Sequence, residues 1–218
     1  MADRQSIINQ TLRLLAEPPI AGAGGNDPTS EDVETVYEPT LLALLEDYNW
    51  IFATKRRPLQ RAVNIDELDV GGYQYAYRMP TDLVGGGPIR LVQEFQVPRS
   101  GEIKNWEVRD GYIWTNQPEP QAYYIYRVDE SLFPPSFEKL FVYTLALTLC
   151  EAITTNLRLA TWLKEQIDDG PYHTGLESKA RNANSKKAPK RKLVTNILIN
   201  GRRGFGFGSP GDFGSGGF

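Results

Sequence analysis

Apolar residues that recur at helical spacing predict two helices in the N-terminal part of the chain. The first is predicted over residues 3–16 and must end before Pro18 and Pro19, because proline lacks a backbone donor and restricts the residue that precedes it. The second is predicted over residues 30–48, where Thr29 or Ser30 can cap the start and acidic residues follow at the positive end of the helix. A glycine-rich loop is expected between the two.

The same spacing predicts two more helices after a long interruption. One runs over residues 133–156 and is opened by two prolines in its first turn, where the missing donor costs nothing. Its apolar residues cover more than one stripe, so we expect it to be buried on several sides, as the central helix or at a subunit interface. Another begins near Leu157 and ends before Gly170 and Pro171, after which a polar segment continues to about residue 187.

Between the helical pairs, aromatic and β-branched residues alternate with polar ones and are punctuated by glycines. This pattern predicts a small antiparallel β region. Asp110-Gly111 is its sharpest hairpin signal, because both residues tolerate the positive φ that a two-residue turn requires. Strands are predicted over residues 50–55, 60–64, 73–78, 89–96, 106–109, 112–115 and 122–126.

The order of elements predicts an α+β fold in which an antiparallel bundle of about four helices carries an inserted small antiparallel β domain. Beyond Pro189, a lone β-prone run at residues 193–199 is followed by a glycine-rich tail that cannot build a core, so we expect an extended C-terminal arm. The predicted units are a first helical pair (1–49), the β domain (50–132), a second helical pair (133–188) and the arm (189–218).

The net charge of −3 hides an asymmetry along the chain. Residues 1–176 carry 15 Lys and Arg against 25 Asp and Glu, whereas residues 177–203 carry 9 against 1. The sequence therefore describes an acidic body with a basic C-terminal segment. Its start resembles neither a secretion signal nor a lipidation site, and the longest apolar run, residues 141–150, is about half of what spans a bilayer, so no membrane partner is expected.

Residues that usually carry catalysis or bind metal are scarce. The single cysteine and the single histidine, Cys150 and His173, make a nucleophile pair conceivable, but nothing near either residue supports it. Asp66, Glu67 and Asp69 could hold Mg²⁺ or Ca²⁺, although acidic loops of this kind are usually only solvated. The inventory cannot supply a zinc site, and no glycine-rich stretch has the context of a phosphate-binding loop. We expect no enzyme and no cofactor.

The basic C-terminal segment is open to three interpretations. Lysines and arginines interleaved with phenylalanines are typical of nucleic-acid binding, in which cations meet phosphates and rings stack on bases. An arm that docks on an acidic protein surface, with residues 193–199 adding a strand to a partner's sheet, uses the same residues. A disordered solubilising tail fits less well, because it would leave Leu193, Val194 and Ile197 exposed.

Three segments, spaced over most of residues 7–160, carry a family resemblance. Residues 8–20 contain an Asn-x-x-Leu helix closed by a turn in which Ala16 precedes Glu-x-Pro. Residues 50–54 contain Trp-x-Phe after the second helix, and residues 133–157 open with prolines and close on a Thr-x-Asn turn. The set resembles the tail tubular protein A-like head-to-tail adaptors of short-tailed bacteriophages, in which a glycine occupies the position of Ala16.

The resemblance implies a structural virion protein at the head-tail interface, assembled in the host cytoplasm as a twelvefold ring around a channel for DNA. It further implies that the helical body and the arm contact the portal protein and that the β domain contacts the tail nozzle. Portal-binding residues are then expected in the arm, at Lys186, Lys187, Lys190, Arg191, Lys192, Leu193, Val194, Ile197, Ile199, Arg202, Arg203, Phe205 and Phe207. Nozzle or subunit contacts are expected at Tyr73, Tyr75, Tyr77 and Trp106, although a row of tyrosines on one strand face more often forms half-buried sheet surface.

Three hypotheses about function follow. The first is the adaptor, which works by ring assembly and docking while DNA passes without sequence-specific binding. Helices with so much apolar surface suit a ring interface. An acidic body suits a DNA channel, because phosphates do not bind to a lining of the same charge. The second is a nucleic-acid-binding protein that uses the basic tail. The third is a hydrolase with Cys150 or His173 in its site.

Overall fold

The structure of the protein is a computed structural model that describes residues 3–20, 28–62, 72–93, 101–154, 156–168 and 175–187. Within these residues the chain forms five α-helices and two small antiparallel sheets, an α+β fold. The helices are α1 (Arg4–Leu14), α2 (Pro28–Glu46), α3 (Pro135–Ile153), α4 (Leu157–Ile167) and α5 (Leu176–Lys186). We refer to them together as the helical body.

All the strands of the described residues lie between α2 and α3 in sequence. They are β1 (Thr54–Pro58), β2 (Tyr75–Arg78), β3 (Arg90–Gln93), β4 (Glu102–Ile103), β5 (Trp106–Arg109), β6 (Tyr112–Thr115) and β7 (Pro120–Ile125). The four-stranded sheet has the order β1-β7-β3-β4, and the three-stranded sheet has the order β2-β6-β5.

Helix α3 is the central helix of the helical body. It contacts α1, α2, α4 and α5, which explains why apolar residues lie on several of its sides. Phe137, Phe141 and Leu145 of α3 pack in one core with Ile7 of α1 and Leu41 of α2. The sequence pattern had predicted this burial on several sides.

The two sheets pack face to face through a second, smaller core. Leu91 and Tyr124 from the four-stranded sheet pack in one cluster with Tyr77 and Ile113 from the three-stranded sheet. Because side chains alternate along a strand, the neighbours of these residues point to the outer face of each sheet. On the outer face of the three-stranded sheet, Trp114 is buried in a third cluster.

Two turns have the backbone conformations that their residues suggested. Strands β5 and β6 form the hairpin predicted at Asp110 and Gly111, which have φ angles of 54° and 77°. Helix α1 ends with Ala16 at a φ of 61°, and the N–H of Glu17 donates to the carbonyl of Leu12 at 2.9 Å. That bond is typical of the Schellman motif, whose left-handed position is usually a glycine.

Several predicted elements were wrong in type or extent. The polar segment before residue 187 forms α5, a fifth helix with little apolar surface of its own. Its Asn184 side chain accepts from the N–H of Ile51 at 2.9 Å and donates to the carbonyl of Asn49 at 3.1 Å, so tertiary contacts stabilise a weakly patterned helix. The strand predicted over residues 50–55 begins instead as a 3-10 helix, Ile51–Ala53, and turns into β1.

The strand predicted over residues 60–64 is reduced, in the part that the structure describes, to an isolated bridge between Arg61 and Tyr77. The strand β4 was not predicted at all. The compact unit that contains the described residues runs to Lys187. The predicted domain boundaries remain predictions. Within the described residues, no helix is both long enough and apolar enough to cross a membrane.

Candidate interaction surfaces

An aromatic cluster occupies the junction where the chain passes between the helical body and the sheets. Trp50 and Phe52 precede β1, and Phe133 and Phe137 lie at the start of α3. The ring centroid of Phe137 is 4.9 Å from that of Trp50, 4.8 Å from that of Phe52 and 5.0 Å from that of Phe133. The Trp50 indole N–H donates to the carbonyl of Leu44 at 2.9 Å, so its polar atom is satisfied although the ring is buried.

An ion-pair network fixes the second crossing, where β7 leaves the sheet. The guanidinium of Arg127 donates to both carboxylate oxygens of Glu38 on α2, at 3.1 and 3.2 Å. It also donates to both oxygens of Glu130, at 2.7 and 3.1 Å, and the Tyr37 hydroxyl donates to the same carboxylate at 3.2 Å. A planar guanidinium suits this double contact, and the arrangement ties α2 to the chain that follows β7.

The surroundings of this network shift the pKa values of its members. Burial, followed by the nearby Glu130 carboxylate, raises the pKa of Tyr37. Burial alone would raise the pKa of Glu130, but the hydrogen bonds and charge of Arg127 outweigh it, and the pKa is lowered. The hydrogen bonds to Glu130 and Glu38 raise the pKa of Arg127. All three shifts favour an ionised pair beside a neutral tyrosine.

A second polar group lies within the sheets. The Asp82 carboxylate accepts from the Lys55 ammonium at 2.7 Å and from the Tyr124 hydroxyl at 2.8 Å. Burial, together with this bond to Asp82, raises the pKa of Tyr124 to about 12. Beside this group lies a cleft of about 280 Å³, which is lined by residues 57–60 and 78–82. Lys55 and Asp82 thus form an ion pair, to which Tyr124 adds a hydrogen bond. These side chains do not place a nucleophile beside a base.

The outer face of the four-stranded sheet carries an unpredicted basic surface. Arg56 on β1 and Arg90 on β3 are both cross-strand partners of Tyr123 on β7. The Arg90 guanidinium carbon lies 4.2 Å from the Tyr123 ring centroid and that of Arg56 lies 5.6 Å from it, so the two cations flank one ring. Arg56 also donates to the Gln121 side chain. We call Arg56, Arg90 and Tyr123 the basic sheet face.

Helix α2 carries the opposite charge. Residues 14–54 contain eight Asp and Glu and no Lys or Arg. Three of the acids are engaged by cations of other elements: Glu34 by Arg4 at 2.7 Å, Glu38 by Arg127, and Asp47 by Arg181 at 2.8 Å. Near the N-terminal end of α2, Glu31 and Asp32 are exposed, and no described basic side chain forms an ion pair with either. We call these two residues the acidic helix end.

A sequence signal for both surfaces exists. Residues 14–54 lack cations, whereas residues 55–61 contain four Lys and Arg and no acid. This change of sign does not predict that Arg90 lies near Arg56. The two residues are brought together because β1 and β3 both pair with β7.

The four predicted nozzle or subunit contacts are not grouped on one exposed surface. Tyr77 is 3% exposed and belongs to the core between the sheets, and Tyr75 and Trp106 pack partly against that core. Tyr73 precedes β2 and packs against the third cluster, near Trp114, so the prediction that the three tyrosines share one face was wrong for Tyr73. Partial burial matches the alternative of half-buried sheet surface more closely than a contact row.

Of the predicted portal-binding residues, the structure describes two. Lys186 is the last residue of α5 and Lys187 caps it, both exposed, so these two belong to a helix end rather than to an extended arm. The rest lie outside the described residues: Lys190, Arg191, Lys192, Leu193, Val194, Ile197, Ile199, Arg202, Arg203, Phe205 and Phe207.

Of the candidate catalytic and metal residues, the structure describes Cys150. Cys150 is buried in α3, where its sulfur lies 3.2 Å from the Thr154 hydroxyl oxygen. His173 and the acidic residues Asp66, Glu67 and Asp69 lie outside the described residues. Among the residues that are described, no group of three or more His, Cys, Asp or Glu side chains could hold a metal ion.

Comparison with known proteins gives no match: neither a protein-family model nor a curated protein sequence matches the chain.

Proposed function

We propose that the protein is a head-to-tail adaptor of a short-tailed bacteriophage, a structural virion protein that assembles as a ring between the portal and the tail nozzle. In this proposal the helices form an antiparallel bundle that carries the β region, and residues 189–218 form an extended arm that docks on the portal. DNA passes through the ring without sequence-specific binding.

One observation carries the proposal. The second and third segments of the family resemblance lie far apart in sequence, yet Trp50 and Phe52 of one pack directly on Phe133 and Phe137 of the other. Residues that matched as separate short motifs therefore have a common structural task, which is to hold the sheets on the helical body. Shared packing is a physical reason for such motifs to occur together in one family.

The first segment supports the same proposal. The adaptors have a glycine at the position of Ala16, and Ala16 has a φ of 61°, in the region that glycine adopts without strain. The third segment ends at the boundary between α3 and α4. There the Asn156 side chain accepts from the N–H groups of Arg158 and Leu159 and caps α4. Each matching segment thus includes a place where one element ends and another begins.

The experiment measures the mass of the purified protein by light scattering on a sizing column, alone and mixed with the portal protein encoded by the same genome. We expect a ring-sized complex with the portal that is lost when residues 189–218 are deleted. A full-length variant, Leu193→Asp with Ile197→Asp, serves beside the deletion, and circular dichroism checks that both keep their helices. Normal docking by both variants would contradict the role of the arm, and no complex with intact protein would contradict the adaptor.

A nucleic-acid-binding protein is the second candidate, and the basic sheet face favours it in addition to the basic tail. Two arginines around a tyrosine can meet phosphates and stack on a base. Salt dependence separates the candidates, because phosphate binding weakens log-linearly with salt, whereas a strand-adding arm with apolar residues weakens less. A protein that ignores the portal and binds a DNA oligonucleotide with a steep salt slope would favour this candidate.

A further inference from the structure

We infer that the basic sheet face of one chain docks on the acidic helix end of a second copy, head to tail, and that this is the contact between neighbouring subunits. The inference rests on the proposed ring and names the surfaces that build it. The partner is another copy of this chain, recognised by the two carboxylates of Glu31 and Asp32.

The basic sheet face is prepared for carboxylates. Arg56 on β1 contacts Gln121 and the Tyr123 ring of β7. Arg90 on β3, the strand on the other side of β7, stacks on the same ring. Side chains that are already held lose less conformational freedom when a partner arrives. A guanidinium presents two parallel donors, which fit one carboxylate, so two arginines fit two acids. Arginine and tyrosine are also the residue types that concentrate binding energy in protein interfaces.

The acidic helix end carries the charge that complements that face. Glu34 and Glu38 of α2 are neutralised within the chain by Arg4 and Arg127, and Asp47, which follows the helix, is neutralised by Arg181. Glu31 and Asp32 are exposed, without an ion pair to any described cation, and lie on an element that contributes no residue to either sheet. Their charge therefore remains available to a neighbour.

The two surfaces are unlike, which decides the kind of assembly. A contact between a surface and a different surface leaves one of each free after every addition, so subunits continue to add. The assembly closes as a ring where the rotation between subunits allows it and otherwise grows as an open helix. A contact of one surface with itself would stop at a dimer. A second copy is favoured over nucleic acid because the chain itself presents two exposed carboxylates that this face fits, and nucleic acid is one outcome of the test.

Exchanged charges test the contact in the full-length chain. One variant combines Arg56→Glu with Arg90→Glu, and the other combines Glu31→Arg with Asp32→Arg. Self-association is followed by light scattering at low and high salt. We expect wild type to associate at low salt, and each variant alone to associate at least roughly tenfold more weakly, because attraction is replaced by repulsion. An equimolar mixture of the two variants should associate again, because every contact then pairs opposite charges.

The matched control combines Arg158→Glu with Lys164→Glu, which makes the same change of charge on two exposed residues of α4. It should associate like wild type. Where charge reversal alters the circular dichroism spectrum, Arg56→Gln with Arg90→Gln replaces it. This variant should associate more weakly than wild type, and its mixture with Glu31→Arg and Asp32→Arg should stop at a pair, because only one of the two contacts is then attractive.

Each other outcome overturns the inference. Variants that associate like wild type, a mixture that stays dissociated, or a control that fails equally would exclude this contact while leaving the adaptor intact. Wild type that stays monomeric alone but forms a ring on the portal would do the same. If Arg56→Glu with Arg90→Glu instead abolishes binding of a single-stranded DNA oligonucleotide and leaves self-association unchanged, the face belongs to nucleic acid.

Discussion

Replacing Arg127 by methionine should destabilise the protein in a way that depends on pH. Methionine keeps much of the aliphatic volume of arginine but removes the guanidinium that lies between Glu38 and Glu130. The Glu130 side chain is 12% exposed, so it would keep its charge in a partly dry environment without its cation. The hydroxyl of Tyr37 would still donate to that carboxylate.

The two carboxylates contribute different amounts to the loss. The Glu38 side chain is 43% exposed, so its pair with Arg127 belongs among surface ion pairs, worth about 0.2–1 kcal/mol. Leaving one member of a fully buried pair without its partner costs roughly 3–5 kcal/mol, but Arg127 itself is 33% exposed and water can reach part of the site. We therefore expect Arg127→Met to lower the free energy of unfolding by about 2–3 kcal/mol at neutral pH.

The sign of the pH effect follows from the pKa of Glu130. Arg127 holds that pKa below its unfolded value, which is about 4.3, so wild type gains stability above that pH and loses it as the pH falls through the folded pKa. Without Arg127, burial dominates and raises the folded pKa of Glu130. The variant is then penalised at neutral pH and relieved when the carboxyl is protonated. The difference in unfolding free energy should begin to shrink above about pH 4.3, where the variant's carboxyl is protonated, and should continue to shrink until the wild-type carboxyl is protonated as well.

Urea unfolding of both proteins, followed by circular dichroism from pH 7 to pH 3.5, measures this difference. Arg158→Met is the control, since Arg158 is exposed on α4 and should change stability by less than about 0.5 kcal/mol. The reasoning would be refuted by a loss below about 1 kcal/mol at pH 7, or by a loss of 2–3 kcal/mol that stays constant over the whole pH range.

Three further changes test local features by the same unfolding measurement. Ala16→Gly should stabilise the protein by a few tenths to about 1 kcal/mol, because it relieves the positive φ at the end of α1 but loosens the unfolded chain; a loss of stability would contradict the left-handed turn. Gly175→Ala should cost roughly 1–3 kcal/mol, because a Cβ there would collide with the carbonyl oxygen of Asp168, and a neutral result would contradict that close packing. Tyr124→Phe should cost about 1 kcal/mol by removing a donor to Asp82 while Lys55 remains, and a cost as large as that of Arg127→Met would show that the hydroxyl holds more than one bond.

The fold was predictable where local chemistry and tertiary packing agree. The hairpin at Asp110 and Gly111 needs only two residues that accept positive φ. Helix α3 has so much apolar surface that burial on several sides was the expected result. Helix α5 was missed for the opposite reason: its sequence offers Leu176 and two alanines to a core, and a bond network from Asn184 to the chain before β1 completes its attachment. The spacing of apolar residues along the sequence gives no signal for these hydrogen bonds of Asn184.

The candidate surfaces were harder to predict than the helices. A tyrosine row on β2 is visible in the sequence, but which face it occupies depends on the position of the second sheet, and that sheet covers Tyr77. The basic sheet face requires the register that places Arg56 and Arg90 on either side of Tyr123, which comes from pairing across residues distant in sequence. Charge segregation along the chain predicts that a basic and an acidic surface exist, not which residues share each one.

The junction between helices and sheets controls more than stability in a head-to-tail assembly. The proposed contact joins the sheet of one subunit to α2 of the next, so the angle between these elements within one chain sets the rotation from subunit to subunit. That angle is held at the two crossings, by the rings around Phe137 and by Arg127 between Glu38 and Glu130. A substitution at either crossing that leaves both charged surfaces intact should therefore preserve subunit affinity while changing ring closure. If the proposed ring exists, such a variant should form open or irregular assemblies rather than monomers.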